Sequence, residues 1–309
     1  MSDPCSISIS TGAYAEFPLA AALVRIAELA PAAEICSWGR HSLLEPGNAR
    51  AVQTIGLSFS VHGPLTHTGL GSRSETERRA AVEVHRRHLW VAAELGATRY
   101  VVHPDLRERK QVRDAKVVRA LERSFAELGE LQEELGLRIL VENMAFNGRS
   151  HFVAPNDLDL QGLGVALDVG HAAISGTLTA WLAEAGAGGS EARPQVNGEK
   201  LSEAHPQAHG DDLGEAPSHA HRDGSGEVHL RSDSDSLGEL HLHDNRGYAS
   251  PDAHDRLGTG VVDAVAAVGR ARAAGVVVVL EHIREDDVLA SIAYLRRRGL
   301  ISRDGCGGG

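Results

Sequence analysis

The stretch "RYVVHPD" at residues 99–105 is followed by the helix pattern "VRALERSFAELGELQEEL" at 118–135, and then by the apolar run "RILVENM" at 138–144. Two strand-like runs joined by a helix-length segment are typical of parallel strands. A parallel pair needs a crossover connection of about a dozen residues or more, usually a helix. This stretch therefore predicts one βαβ unit.

The same unit recurs along the chain, because six further β-rich runs lie at 6–14, 32–38, 56–64, 165–171, 239–245 and 276–282. Helix patterns separate them, and the clearest begins with a capping box at Ser74 and Glu77 and ends at Gly96. Its period predicts an apolar face of Ala81, Val84, His88, Trp90, Val91 and Leu95. Eight strand–helix units predict an α/β fold, a closed (β/α)8 TIM barrel rather than an open sheet.

Residues 184–236 break this pattern, since they are rich in Gly, Ser, Ala, acidic residues and His and have no sustained apolar period. Such a composition cannot bury enough apolar surface to order itself. We therefore expect one barrel over residues 1–303, interrupted by a disordered insertion between the sixth and seventh units and followed by a flexible tail at 304–309. The insertion's histidines could bind metal loosely, but a solvated loop is the expected state.

The composition limits the partners. The net charge of −11 disfavours DNA and other long polyanions. The three cysteines, at positions 5, 36 and 306, form no CxxC spacing, so we expect neither disulfides nor a cysteine zinc site, and a reducing cytoplasm is the simplest location. The sequence has no signal-peptide pattern and no run of roughly 20 apolar residues, so no membrane association is expected.

Histidines and carboxylates recur where the β-rich runs end. The carboxyl ends of all barrel strands meet at one face, so these side chains should share one pocket. Without cations the group would be repulsive or strongly desolvated, and imidazole and carboxylate are ligands that Zn²⁺ or Mn²⁺ accepts. The predicted ligands are His62, His103, Glu142, Asp168, His171, His241 and Glu281, with Asp252 and His254 from the loop after the seventh run. We expect His85, His88 and His282 to be structural.

The order of the motifs "VHGP", "VVHPD", "VENM", "LDVGHA", "HLHDN", "DAHDRLGTG" and "LEH" resembles the xylose-isomerase-like TIM-barrel superfamily. That superfamily contains sugar isomerases and epimerases and also the endonuclease IV group, or AP endonuclease family 2. The resemblance covers nearly the whole chain outside the insertion and the tail. It implies a barrel with a metal-dependent activity.

The endonuclease IV pattern implies up to three ions, with Zn²⁺ expected and Mn²⁺ as the alternative. By this resemblance, the three ligand sets are His62, His103 and Glu142; Glu142, Asp168, His241 and Glu281; and His171, Asp252 and His254. The isomerase and epimerase branch requires only the second set, around one ion. The presence of the other two sets favours a multinuclear site.

Clustered ions suit phosphoester chemistry, because they activate water, polarise phosphoryl oxygens and stabilise the leaving oxyanion. The expected reaction is hydrolysis of a phosphodiester or phosphoester in a small sugar- or nucleotide-like substrate, with Glu142 and Glu281 as the catalytic pair. The low aromatic content of 4% and the few basic loop residues argue against DNA as substrate. Residues expected to orient ligands or contact substrate are His243, Asp244, Asn245 and Arg246, and candidate phosphate contacts are Arg40, Arg107, Arg149 and Arg246.

Two alternatives remain open at this point. The first is a single-metal sugar or sugar-phosphate isomerase or epimerase, in which Glu142 and Glu281 act as paired acid and base. The second is a non-catalytic metal or ligand binder, supported only by the histidine-rich insertion.

Overall fold

The computed structural model describes residues 7–65, 69–104, 114–145, 150–184 and 237–302. Its strands form a closed barrel in which each strand pairs in parallel with the next, and β8 pairs with β1. The predicted (β/α)8 barrel is therefore confirmed. The strands are β1 Ile7–Ser10, β2 Ala32–Cys36, β3 Ser58–His62, β4 Arg99–Val102, β5 Arg138–Glu142, β6 Gly164–Asp168, β7 Leu237–Leu242 and β8 Val277–Leu280.

Helices surround the barrel and follow every strand except β5 within the described residues. They are α1 Leu19–Ala27, α2 Pro46–Ile55, α3 Glu75–Glu94, α4 Ala115–Leu135, α5 Val169–Ser175, α6 Leu178–Glu184, α7 Ala264–Ala274 and α8 Glu285–Arg297. None of these helices combines the length and the apolar character needed to cross a membrane. The predicted insertion lies between α6 and β7, and residues 185–236, like the tail from 303, fall outside the described residues.

The strands end earlier than several of the predicted runs. The run at 165–171 stops at Asp168, because the Asp168 side chain caps α5 by accepting the backbone N–H of His171 at 2.6 Å. His171 therefore lies on the first turn of a helix. The run at 6–14 likewise stops at Ser10 and continues as a 3-10 turn.

Helix α3 begins as predicted, with the Ser74 hydroxyl accepting the backbone N–H of Glu77, but its buried face differs from the predicted one. Trp90 is 43% exposed, whereas Val82, Leu89 and Ala92 are buried. The helix packs against α4 as well as the barrel, since buried Arg78 donates hydrogen bonds to Ser124 and Glu127 of α4. Ala81 and His88 of the predicted face are buried, whereas Trp90 follows Ala81 by about two and a half turns and so lies on the other side of the helix.

The interior of the barrel is divided by polarity. Alternate strand residues face the barrel axis. On the β4–β6 side the inward residues Val101, Leu140 and Ala166 form a small apolar cluster. On the opposite side most of the buried inward residues are polar, namely Ser8, Glu34, Ser60 and Glu239, with Val279 of β8 among them. The polar half lies directly below the carboxyl ends of the strands, where the predicted ligands gather.

Candidate metal centre

Glu142, the last residue of β5, lies at the middle of the gathered side chains. Its Oε2 atom is 3.0 Å from Nε2 of His62 and 2.9 Å from Nε2 of His103. His62 ends β3 and His103 directly follows β4. Their ligand atoms all lie within 4.8 Å of one another, so the fold brings together the first predicted set.

The other oxygen of Glu142 faces the second set. Its Oε1 lies 3.6 Å from Nδ1 of His241, which in turn is 3.0 Å from Oε2 of Glu281. These three atoms are buried, and none has a partner with hydrogen-bond geometry among the described residues. Buried polar atoms without such partners are costly, and a divalent cation held with Asp168 would satisfy them. The donors present therefore fit a metal ion.

The third set lies beside the second. Oδ2 of Asp252 is 3.0 Å from Nε2 of His171 and 3.4 Å from Nε2 of His254. His254 adopts a left-handed backbone with φ of 49°, which is uncommon for a residue other than glycine. Its main-chain oxygen accepts a hydrogen bond from Nδ1 of His282, so that histidine supports the loop as a structural residue. Local strain of this kind is often kept at functional sites.

Hydrogen bonds to main-chain carbonyls orient three of the histidines. Nδ1 of His62 donates to Gly63, Nδ1 of His171 to Asn143, and Nδ1 of His254 to Glu281, at 2.9 to 3.0 Å. Because a carbonyl can only accept, each ring carries hydrogen on Nδ1 and turns Nε2 towards its ligand set. Such outer contacts fix the tautomer of a metal ligand.

Burial and the neighbouring charges have opposite effects on the ionisable groups of the centre. Burial alone would lower the pKa of His62 and His254, but contacts with Glu142 and Asp252 raise these pKa values to about 9 and about 10. Burial alone would raise the pKa of Glu142, but His103 and His241 hold it well below its usual range. A cation entering the centre must therefore displace protons from the histidines.

His243 contacts the metal-ligand candidates directly. Its Nε2 lies 3.1 Å from both carboxylate oxygens of Asp168, and its ring stacks on His254 with centroids 4.0 Å apart. The ring occupies the space in which residue 170 would carry a side chain: a Cβ atom on Gly170 would lie 2.1 Å from the His243 Cε1 atom. This pairing of Gly170 with His243 is not visible in the spacing of the sequence.

Asp244 and Asn245 organise the loop rather than the ligand sets. The Asp244 carboxylate accepts the backbone N–H groups of Asn245, Gly258, Thr259, Gly260 and Val262. The Asn245 side chain donates to the main chain of Gly170 at 2.7 Å. The "GTG" turn is therefore a carboxylate-binding loop that fixes the segment following Asp252 and His254.

Among the arginines suggested as phosphate contacts, Arg246 points to solvent: its side chain is 80% exposed, with Asp255 3.8 Å away. A long side chain remains in water when no buried partner fixes it. Arg40 is also exposed and donates to the main chain of Glu16. Arg107 and Arg149 lie outside the described residues.

Two acidic residues below the centre were missed by the sequence reasoning. Glu34 on β2 and Glu239 on β7 are fully buried and lie with His241 in a further group of possible ligands. Burial is the main reason that the pKa of Glu34 rises to about 7. Alternation along β7 places Glu239 on the face of His241, but the sequence has no signal that brings β2 next to that face.

The chain belongs to the xylose isomerase-like TIM barrel family, whose model matches residues 47–298. Among curated proteins, an uncharacterized protein of Methanocaldococcus jannaschii is 29% identical over 140 residues, which cover 44% of this chain and 55% of that protein. The chain spans about half the length of the curated relatives it matches.

Solved structures share the fold over almost the whole chain. A D-tagatose 3-epimerase-like protein has a TM-score of 0.71 at 21% identity, covering 94% of this chain and 96% of that one. The 3-keto-D-glucoside 4-epimerase of E. coli has a TM-score of 0.64 at 17% identity, covering 95% and 99%. A protein of Thermus thermophilus soaked with zinc chloride has a TM-score of 0.57 at 21% identity, covering 94% and 96%. At these identities the likeness establishes the fold.

Proposed function

We propose that this protein is a metal-dependent enzyme that epimerises or isomerises a small sugar at the mouth of its barrel. The observation that carries the proposal is the set formed by Glu142, Asp168, His241 and Glu281, whose ligand atoms lie within 4.8 Å of one another. The family and the sugar epimerases among the structural neighbours support this reaction class over phosphoester hydrolysis.

In this proposal the two glutamates move a proton. Glu142 ends β5 and Glu281 follows β8; both lie beside His241, and each has one buried oxygen without a hydrogen bond among the described residues. A divalent cation held here would bind neighbouring sugar oxygens and acidify the C–H bond between them. One glutamate then removes that proton and the other returns it, which is general acid–base catalysis.

A specific observation favours a second candidate, hydrolysis of a phosphoester in a small sugar- or nucleotide-like molecule. The sets around His62 and His103 and around Asp252 and His254 are assembled as tightly as the central one. Single-ion epimerisation does not need them, whereas clustered ions suit phosphoryl transfer. The two candidates share Glu281 and differ in their need for Asp252.

The deciding experiment uses tag-free protein, stripped with chelator and reloaded with Zn²⁺ or Mn²⁺. The protein is assayed on ketoses, on bis-p-nitrophenyl phosphate and on abasic duplex DNA. E281Q should lower any turnover by about 10²- to 10⁴-fold, the usual contribution of a positioned acid or base. The matched control E285Q changes a glutamate four positions away that pairs with Arg25 at the surface, and it should retain activity.

D252N separates the candidates. If the sugar reaction is right, ketose turnover survives in D252N and one bound ion suffices. Loss of phosphodiesterase activity in D252N, with about three Zn²⁺ per wild-type chain, would establish the second candidate instead. Absence of bound metal in reloaded wild-type protein, or near-normal turnover in E281Q, would contradict both.

A further inference from the structure

A second layer of charge lies beneath His241, on the side of its ring away from the other ligands of its set. Oε1 of Glu239 is 3.1 Å and Oε2 of Glu34 is 3.2 Å from Nε2 of this histidine. Both carboxyl groups are fully buried in the polar half of the barrel interior. Among the described residues, the group that they form shares only His241 with the three ligand sets.

The two carboxyl groups are not equivalent. Glu239 makes a contact of hydrogen-bond geometry with Nε2 of His241, and its second oxygen accepts the Nε–H of Arg99 at 2.8 Å. Glu34 lies equally close, but neither of its oxygens has a partner with hydrogen-bond geometry among the described residues. A chain of hydrogen-bond contacts therefore connects Arg99 through Glu239 to His241, and Glu34 lies beside it.

His241 also uses the opposite ring nitrogen from its neighbours. His62, His171 and His254 turn Nε2 towards their ligand sets and donate Nδ1–H to carbonyls. His241 turns Nδ1 towards Glu281 and Glu142. Nδ1 can bind a cation only when the ring hydrogen is on Nε2, because the coordinating nitrogen must carry no hydrogen.

We propose that Glu239 is a positioning residue that keeps hydrogen on Nε2 of His241 and so commits Nδ1 to the metal. A carboxylate that accepts from Nε2–H also makes Nδ1 more basic, and so a stronger metal ligand, than a carbonyl acceptor does. The inference deepens the proposed function, since it rests on the metal binding of the Glu142, Asp168, His241 and Glu281 set.

The neighbours of Glu239 explain why glutamine cannot replace it. Arg99 Nε–H and His241 Nε2–H are both donors, and they approach opposite oxygens of one side chain. A carboxylate accepts from both, whereas an amide has only one acceptor and one NH₂ group. In E239Q the amide oxygen therefore faces Arg99 or His241 but not both. When it faces Arg99, the NH₂ group drives the hydrogen of His241 onto Nδ1.

The test measures Zn²⁺ affinity of the whole protein by competition with a chromophoric chelator. E239Q should weaken the affected site by about 10- to 100-fold, the usual effect of losing such an outer partner. E34Q tests the other carboxyl group near this nitrogen. Glu34 has no hydrogen-bond geometry to His241, so E34Q should weaken the site less than E239Q does, and an equal loss would overturn the assignment to Glu239. In the double variant R99M/E239Q the amide oxygen is free to accept from His241, so the affinity should recover towards that of wild type.

A second measurement follows the ring itself. In zinc-loaded protein with ¹⁵N-labelled histidine, the Nε2–H group of His241 should give a downfield proton signal in wild type, in E34Q and in R99M/E239Q. This signal should be absent in E239Q. Thermal unfolding of each variant identifies those that are folded. If Glu239 only filled space, R99M/E239Q would bind Zn²⁺ more weakly than E239Q does, and that result would overturn the inference.

The outcomes separate the two proposals. Wild-type protein that binds no Zn²⁺ contradicts the proposed function and this inference together. Wild-type protein that binds Zn²⁺, with E239Q of unchanged affinity, overturns only the role assigned to Glu239.

Discussion

Substituting alanine for Gly170 should destabilise this protein, although the local backbone would favour alanine. Gly170 is the second residue of α5, and its φ is not in the left-handed region. In a helix, alanine is preferred over glycine by about 1 kcal/mol. A Cβ atom at this position would nevertheless lie 2.1, 2.4 and 2.6 Å from three atoms of the His243 ring. No real Cβ tolerates such contacts, so the ring must move.

The magnitude follows from what the ring loses. Moving His243 breaks its hydrogen bond to the Asp168 carboxylate, and a bond to a charged group contributes about 1.5 to 3 kcal/mol. Overpacking a filled site adds about 1 to 3 kcal/mol. Against the helix preference of about 1 kcal/mol, the net loss in the free energy of unfolding should be about 1.5 to 5 kcal/mol.

A double-mutant cycle measured by urea unfolding of metal-free protein checks this reasoning. In the H243A background the space is vacant, so G170A should become neutral or stabilising by up to about 1 kcal/mol. The cycle should therefore give a coupling energy of at least about 1.5 kcal/mol, which is typical of residues in contact. An equal cost of G170A in both backgrounds would show that His243 is not the source of the steric conflict.

Two further predictions concern the loop and the protein's acid stability. D244N replaces a carboxylate that accepts five backbone N–H groups with an amide. It should lower the free energy of unfolding by about 2 to 4 kcal/mol and speed hydrogen exchange of the Gly258 and Gly260 amides. Unchanged exchange at these amides would contradict the role of Asp244. For His85, burial first and then nearby His88 lower the pKa from 6.5 to about 3, so only the unfolded chain gains this proton as pH falls below 6.5. Stability should therefore fall by up to about 1.4 kcal/mol per pH unit between 6.5 and 4, and H85N should flatten that slope in urea titrations at several pH values; an unaltered slope would exclude His85 as a source.

The barrel and the gathering of the ligand candidates at one face were predictable because both depend on local pattern, whereas the division into three sets came from the family resemblance. Short β-rich runs separated by helices indicate parallel strands, and the carboxyl ends of such strands must converge. His62, Glu142 and Asp168 therefore needed only their positions at strand ends to be placed together. The extent of each strand was less predictable, since a side-chain cap at Asp168 ends β6 before the apolar run does.

The rest of the centre depends on contacts between segments that are distant in sequence. Glu34 meets His241 only because the barrel closes through β8 and β1, which lie between β7 and β2. Gly170 on α5 is explained by the ring of His243, which directly follows β7. Arg78 of α3 is buried because it bonds to Ser124 of α4. Sequence periodicity carries none of this information.

The ligand sets differ in how the chain could have acquired them. Three residues of the central set, Glu142, Asp168 and His241, lie on barrel strands, and Glu281 directly follows β8. Asp252 and His254 instead lie on a loop held by the main chain of a single turn around Asp244. An exchange of that one loop would remove Asp252 and His254 together, while His171 on α5 and every strand would stay in place. On the proposed function, such an exchange would alter the third ligand set alone and leave the central one intact.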